Sequence, residues 1–283
     1  MDVPAHLAHL LGEPAARIDP LGPSHAWTLY RARTTDGRTL FIKARNDGDP
    51  TAALTAEAAG LRWLAQAHPD LVPPVLAADP HMLVLPWHPP EPATPTAAEH
   101  LGHALATLHT ATPDTYGAPW PGYIGTLPLD NTPTTSPWSH WYARHRLTPY
   151  LPAAAPELGR DGLRLLERVI DRIDDLAGPP EPPARIHGDL WSGNILWTHD
   201  HALLIDPAAH GGHRETDLAM LALFGTPHLD RILAAYRETT PLSPGWRQRI
   251  PLHQLHPLLV HVVLFGGSYR GMLLAAASAA LAN

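Results

Sequence analysis

Ile186–Leu196 reads IHGDLWSGNIL, and after a short gap the apolar run Leu203-Leu204-Ile205 ends in Asp206. An Asp in a loop, an Asn five positions later and a second Asp closing a buried strand are the residue types that phosphoryl transfer requires, in the order it requires them. In such a site Asp189 accepts the proton of the attacking hydroxyl. Asn194 and Asp206 supply hard oxygen ligands for the Mg²⁺ ions that neutralise ATP phosphates. Three oxygen-bearing side chains at these spacings are far more specific than a lone carboxylate.

Working outward from that stretch, Lys43 is the only lysine in the chain. It ends Leu40-Phe41-Ile42-Lys43, an apolar segment that reads as a strand after the turn signal Asp36-Gly37. A compact ammonium there suits contact with the phosphates of ATP, where a guanidinium fork is too broad. Thr51–Gln66 reads as a helix, with Leu54, Ala58, Leu61 and Leu64 forming an apolar stripe. Glu57 falls inside that stripe. A carboxylate facing a core is costly unless paired, and Lys43 is the expected partner.

A chain of 283 residues can bury a substantial core and fits one enzyme of two lobes. The net charge of −7 and the lack of any Lys/Arg-rich run argue against nucleic acid as a partner. The N-terminus MDVPAHLAHL shows no secretory pattern, and the Ala-rich stretch Met272–Ala282 is too short to span a bilayer. Zero cysteines exclude disulfides, zinc–thiolate sites and thiol catalysis, so the expectation is a cytoplasmic enzyme with no membrane partner and an open oligomeric state. The 20 histidines are scattered. Pairs such as His253/His256 and His100/His103 come with no obvious third ligand, which argues against a histidine metal site.

The expected fold is α+β and bilobal, protein-kinase-like. Residues 1–88 form a small β-rich nucleotide-binding lobe, and residues 89–283 a larger, mainly helical catalytic and substrate lobe. Strands are expected at Ala26–Arg33, Thr39–Ala44, Val72–Ala77 and His81–Trp87, with a hinge at Pro86-Trp87-His88. There the Pro86 carbonyl and the His88 N–H are placed to hold adenine, because proline keeps its acceptor and loses only its donor. Helices are expected at Ala97–Thr110, Leu158–Leu176, Glu215–Phe224, Leu229–Thr239 and Arg247–Leu264. Pro113–Pro137 reads as a long loop packed over the lobe.

Taken together, the chain resembles the fructosamine kinase (ketosamine 3-kinase) family, within the aminoglycoside-phosphotransferase-like kinases. The hallmark is HGDLWSGN at His187–Asn194. It is joined by LGHALATLH (Leu101–His109), YIG (Tyr123–Gly125), Arg146-Leu147 and IDPAAHGGHRETDLAMLALFG (Ile205–Gly225), then by AYRETTPLSPGWRQR (Ala235–Arg249) and HVVLFGGSYRG (His261–Gly271). The resemblance implies an ATP- and Mg²⁺-dependent kinase that phosphorylates the 3-hydroxyl of a ketosamine such as fructosamine or ribulosamine, free or on glycated protein side chains. The 3-phosphate decomposes and frees the amine, which amounts to deglycation. The alternatives are a small-molecule kinase of the aminoglycoside or choline type, or a nucleotide-binding pseudokinase without turnover. No acidic cluster and no aromatic cage is evident to support the first, and intact Lys43, Asp189, Asn194 and Asp206 oppose the second.

The chain also departs from the family pattern. Its phosphate-covering turn Leu21–Trp27 reads LGPSHAW with only Gly22, which leaves N–H groups near Ser24 and His25 to hold phosphate. The segment after Tyr123-Ile124-Gly125 keeps Asn131 but has Leu129-Asp130 where a Gln is usual, and His210-Gly211 stands where Tyr or Gly is frequent. Trp191, two positions past the expected base, is placed to lie against a sugar ring. His187 is expected to hold the loop by bonding backbone near Asp206, and Asp217 to support it from the start of a helix. Arg214 and Glu215 are candidates for substrate contact or for pairing with each other. His261 and Tyr269 are candidates for the acceptor pocket.

Overall fold

The computed structural model describes residues 1–24, 26–45 and 52–282. After helix α1 (Val3–Leu11), strands β1 (Ala15–Ser24), β2 (Trp27–Thr34) and β3 (Thr39–Arg45) form an antiparallel meander. Helix α2 (Ala53–Ala67) follows, then the short β4 (Ala77–Ala78) and β5 (Met82–Pro86), in the sheet order β1-β2-β3-β5-β4. The expected strand Val72–Ala77 shrinks to Ala77–Ala78, because Pro73 and Pro74 have no N–H to give a ladder.

Side chains alternate across β3 with the period of two that a pleated strand imposes. Leu40, Ile42 and Ala44 face α1 together with Met82 and Val84 of β5. Lys43 takes the opposite face, paired across the sheet with Leu29 and Leu83. That face packs on α2 through Leu54, Leu61 and Leu64, the stripe read from sequence, in a core that continues into the second lobe through Leu101, Leu105, Leu190 and Leu204. The chain is thus ordered as two lobes sharing one apolar seam, and the active cleft lies along it.

The second lobe begins with α3 (Pro95–Thr110), capped by the Thr94 hydroxyl accepting from Ala97 N–H at 3.0 Å. The excursion after it is more ordered than a loop. It contains the hairpin β6 (Gly122–Ile124) and β7 (Leu127–Leu129) and is pinned by mutual N–H···O bonds between Tyr116 and Thr134. Then come α4 (Trp138–Tyr142), α5 (Leu151–Asp171, interrupted at Gly159) and α6 (Ile173–Leu176). The segment that carries Asp189 is built from two small antiparallel pairs, β8 (Ala184–Ile186) with β11 (His210–Gly212), and β9 (Ile195–Trp197) with β10 (Ala202–Leu204).

Helices α7 (Glu215–Leu223), α8 (Leu229–Thr239), α9 (Trp246–Phe265) and α10 (Arg270–Ala282) close the lobe. Contrary to the sequence expectation, Trp246–Ala282 is long and apolar enough to cross a membrane by length and composition. In the fold it is two helices broken at Gly266–Tyr269, and α9 buries Leu252, Leu255, Leu258 and Val262 in the core of the lobe.

Candidate active site

A cavity of about 350 Å³ opens between the two lobes. It is lined by Ser24, Lys43, Glu57, Asp189, Trp191, Asn194 and Asp206, seven residues singled out from sequence and supplied by five separate segments. His25 lies outside the described residues, and so does Thr51, the first residue of the expected α2.

The Lys43 Nζ donates to Glu57 Oε2 at 2.7 Å and to Asp206 Oδ1 at 3.2 Å. It also sits 5.5 Å from the centre of the Trp27 ring. Burial alone would pull this ammonium's pKa down, but the carboxylates of Asp206 and Glu57 outweigh that and hold it protonated. Glu57 is raised as well, first by burial and then by the nearby charge of Asp206, against the opposing pull of Lys43. Lys43 therefore ties the first lobe's helix to the strand-end acid of the second. An arginine would push a planar fork into a space closed by Glu57, Trp27 and Asp206. Lys43→Arg is expected to lose nearly as much activity as Lys43→Ala while staying folded by circular dichroism. Near-normal turnover of the arginine variant would show that charge alone suffices.

Asp206 adopts a left-handed backbone conformation with φ 54°, uncommon for a residue with a side chain and frequent at functional sites. Just before it, the Ile205 carbonyl accepts from His187 Nε2–H at 2.9 Å, as the sequence led one to expect. His187 Nδ1 in turn accepts from the Asp189 N–H at 3.3 Å, so the ring is neutral with its proton on Nε2. Burial lowers its pKa and keeps it so.

Asp217 is fully buried and brackets the same loop, accepting from the N–H groups of His187 at 2.7 Å and Gly188 at 2.9 Å. His109 Nε2 reaches it at 3.1 Å, and Tyr236 OH lies 3.0 Å from His109 Nδ1. Asp217 thus supports the catalytic loop, though through loop N–H groups rather than those of its own helix. His109 and Tyr236 were invisible to local sequence reasoning, since they stand 108 residues upstream of Asp217 and 127 residues beyond His109.

Asn194 Nδ2 donates to the Asp189 backbone oxygen at 2.8 Å and to Asp189 Oδ2 at 3.1 Å. Both amide hydrogens are spent on Asp189, which leaves Asn194 Oδ1 as the atom available to a cation. With the Asp206 carboxylate, it forms a set of hard oxygen donors, and such a set fits Mg²⁺. The Asp189 carboxyl is pushed up to about 7, first by burial and then by the neighbouring charges of Asp206 and Asp217.

Trp191 lies flat on Gly193, where a Cβ would fall 2.3 Å from the ring, so the sequence Trp-Ser-Gly is a fitted unit. The ring is 38% exposed at the cleft rim. It meets Phe224 edge-on at 6.2 Å, Phe224 meets His261 at 5.0 Å, and His261 meets Tyr269 at 4.7 Å. His261 and Tyr269 thus continue an aromatic wall from Trp191, although neither lines the cavity itself. The sequence showed no aromatic cluster because these rings come from the loop of Asp189, the C-cap of α7, α9 and the turn after it.

One pair of site assignments is corrected. Arg214 and Glu215 neither line the cavity nor pair with each other. Arg214 is bound bidentately by Glu181 at 2.5 and 2.7 Å, and Glu215 by Arg249 at 2.8 and 2.6 Å, in the packed base of the lobe. Adjacent helical positions point in different directions, so each finds a partner elsewhere. At the hinge, Pro86 pairs with Leu40 at the end of the ladder and the Trp87 N–H bonds to Thr39 O at 2.9 Å. Neither Pro86 nor His88 lines the cavity, and His88 borders a separate one of about 670 Å³ with His68, Leu71 and His100.

Among the described residues, one trio with ligand-type atoms does form, His213, Glu215 and His253. Both Glu215 oxygens are engaged by Arg249, and His213 Nδ1 accepts from the Glu215 N–H at 3.2 Å. The Glu215 carboxylate is therefore already committed to Arg249, with His253 Nε2 3.4 Å from its Oε2.

A family model described as fructosamine kinase matches residues 7–282. The chain belongs to the fructosamine kinase family. It is 32% identical over 259 residues to the "Probable ketoamine kinase YniA" of Escherichia coli, covering 88% of this chain and 87% of that one. Among solved structures, a candidate fructosamine-3-kinase from Thermobifida fusca superposes with a TM-score of 0.96 at 53% identity, over 100% of this chain and 99% of the other. The gentamicin complex of APH(2")-IIa matches with a TM-score of 0.67 at 14% identity, over 99% and 93% of the two chains. That likeness carries the protein-kinase-like fold alone.

Proposed function

We propose that this fructosamine kinase family member transfers the γ-phosphoryl group of ATP to a sugar hydroxyl, the 3-hydroxyl of a ketosamine such as fructosamine or ribulosamine. The observation that carries the reading is the convergence of Lys43, Glu57, Asp189, Asn194 and Asp206 on one cavity, with a tryptophan face at its rim. Asp189 takes the hydroxyl proton as the oxygen attacks phosphorus and the bond to the ADP oxygen breaks. Its elevated pKa makes it a stronger base than a surface aspartate. Lys43, oriented by Glu57, contacts the phosphates, and Ser24 faces them from the end of β1. Asn194 and Asp206 would hold Mg²⁺, which when bound neutralises charge on the transferring group. Bringing donor and acceptor into one closed cleft supplies most of the remaining catalysis.

On the acceptor side, Trp191 offers its exposed face to the C–H side of the sugar, and Phe224, His261 and Tyr269 extend that surface. Trp191→Ala is expected to raise the acceptor KM about five- to 150-fold, from roughly 1–3 kcal/mol of lost stacking, with little change in KM for ATP. Because the ring rests on Gly193 and Phe224 at the rim, the variant should unfold at nearly the wild-type urea concentration. A phosphate-transfer screen of free ketosamines, glycated peptides, aminoglycosides and choline tests the reading. Transfer to an aminoglycoside or choline with none to any ketosamine would reject it.

A further inference from the structure

A buried cation stands behind the acceptor side of the cleft. Arg146 is 1% exposed and stacks 4.1 Å from the Trp141 ring centre. Its Nη1 donates to the backbone oxygens of Asp130 and His145, at 2.6 and 3.0 Å, and its Nη2 to Asn131 Oδ1 at 2.8 Å. A guanidinium only donates, so it dictates which end of the Asn131 amide is oxygen. The nitrogen end lies against Gly122, where even a Cβ would come within 2.6 Å of Nδ2. Asn131 and Gly122 both line the cavity that holds Asp189 and Trp191. Asn131 is 4% exposed, yet its Nδ2 has no partner among the described residues. Buried amides are nearly always bonded, so an oriented donor without a partner in a cavity-lining residue points to a ligand contact.

We propose that Asn131 is an acceptor-positioning residue. Its Nδ2–H donates to an acceptor oxygen next to the hydroxyl that Asp189 deprotonates, and Arg146 fixes the amide so that only a donor faces the sugar. The contact selects polyhydroxyl acceptors that carry an oxygen at that one position. It rests on the phosphotransferase reading above, and the ketosamine assignment enters only through the choice of probe.

The test compares wild type and Asn131→Ala on a parent ketosamine and on its mono-deoxy forms. The variant should lose about tenfold in kcat/KM for the parent, with KM for ATP unchanged. One deoxy acceptor should cost the wild type the same factor and cost the variant nothing further. An equal penalty of the variant on every deoxy acceptor, or a matching rise in KM for ATP, would overturn the proposal as a merely structural effect. Asn131→Asp keeps the contact with Arg146 and removes the donor, so full activity of that folded variant would also overturn it. Failure of the wild type on all ketosamines would count against the acceptor class alone, and the same comparison then runs on the deoxy forms of whichever polyol is phosphorylated.

Discussion

Asp189→Asn is expected to bind Mg·ATP as the wild type does and to turn over roughly 10²–10⁴-fold more slowly. The substitution keeps the size of the side chain, and its oxygen still accepts the bond that Asn194 Nδ2 gives at 3.1 Å. The supports of the loop, from Asp217 to the His187 and Gly188 N–H groups, do not involve the side chain at 189. Only the ability to take a proton is removed. Steady-state kinetics beside a nucleotide titration check this, and turnover within a few-fold of wild type would move the base elsewhere.

Glu215→Ala is expected to cost about 3–5 kcal/mol of stability, because it strands the Arg249 guanidinium in the interior. The two side chains are 3% and 8% exposed, and the pair is bidentate. Replacing both partners, as in Glu215→Leu with Arg249→Met, should recover much of the loss, since no buried charge then remains unmatched. Urea unfolding of the wild type and the two variants decides it. Burial alone would raise the Glu215 carboxyl, but bonds from His253 and Arg249 lower it to about 2 from an ordinary 4.5. A depressed folded pKa contributes stability that is complete above about 4.5 and is lost as pH falls through about 2. The acid limb of wild-type stability should therefore flatten in that window in the double variant.

The chemistry was legible where neighbouring residues in sequence are also neighbours in a single element. The apolar run Leu40-Phe41-Ile42 ending in Lys43 read as a strand that carries a phosphate-contacting lysine, and the α2 stripe predicted that Glu57 would need a cation. Spacing failed for Arg214 and Glu215. Their partners Glu181 and Arg249 lie 33 and 34 residues away, and a helix-start position does not reveal which way each side chain turns. The register at Pro86 was not given by spacing either, since the end of a ladder depends on what packs beside it.

By itself, the sequence determined the reaction type and the order of the parts. Asp189, Asn194 and Asp206 sit in or beside short strands whose hydrogen-bond pattern places them with little freedom. Tertiary structure decided how the proposed acceptor surface is assembled, joining Trp191, His261 and Tyr269, each a separate candidate in the sequence, through Phe224. The Trp191–Phe224–His261–Tyr269 wall and the Asn131 amide set by Arg146 unite segments from residue 122 to residue 269. Such contacts come from packing between distant elements, which leaves no periodic trace in any one of them.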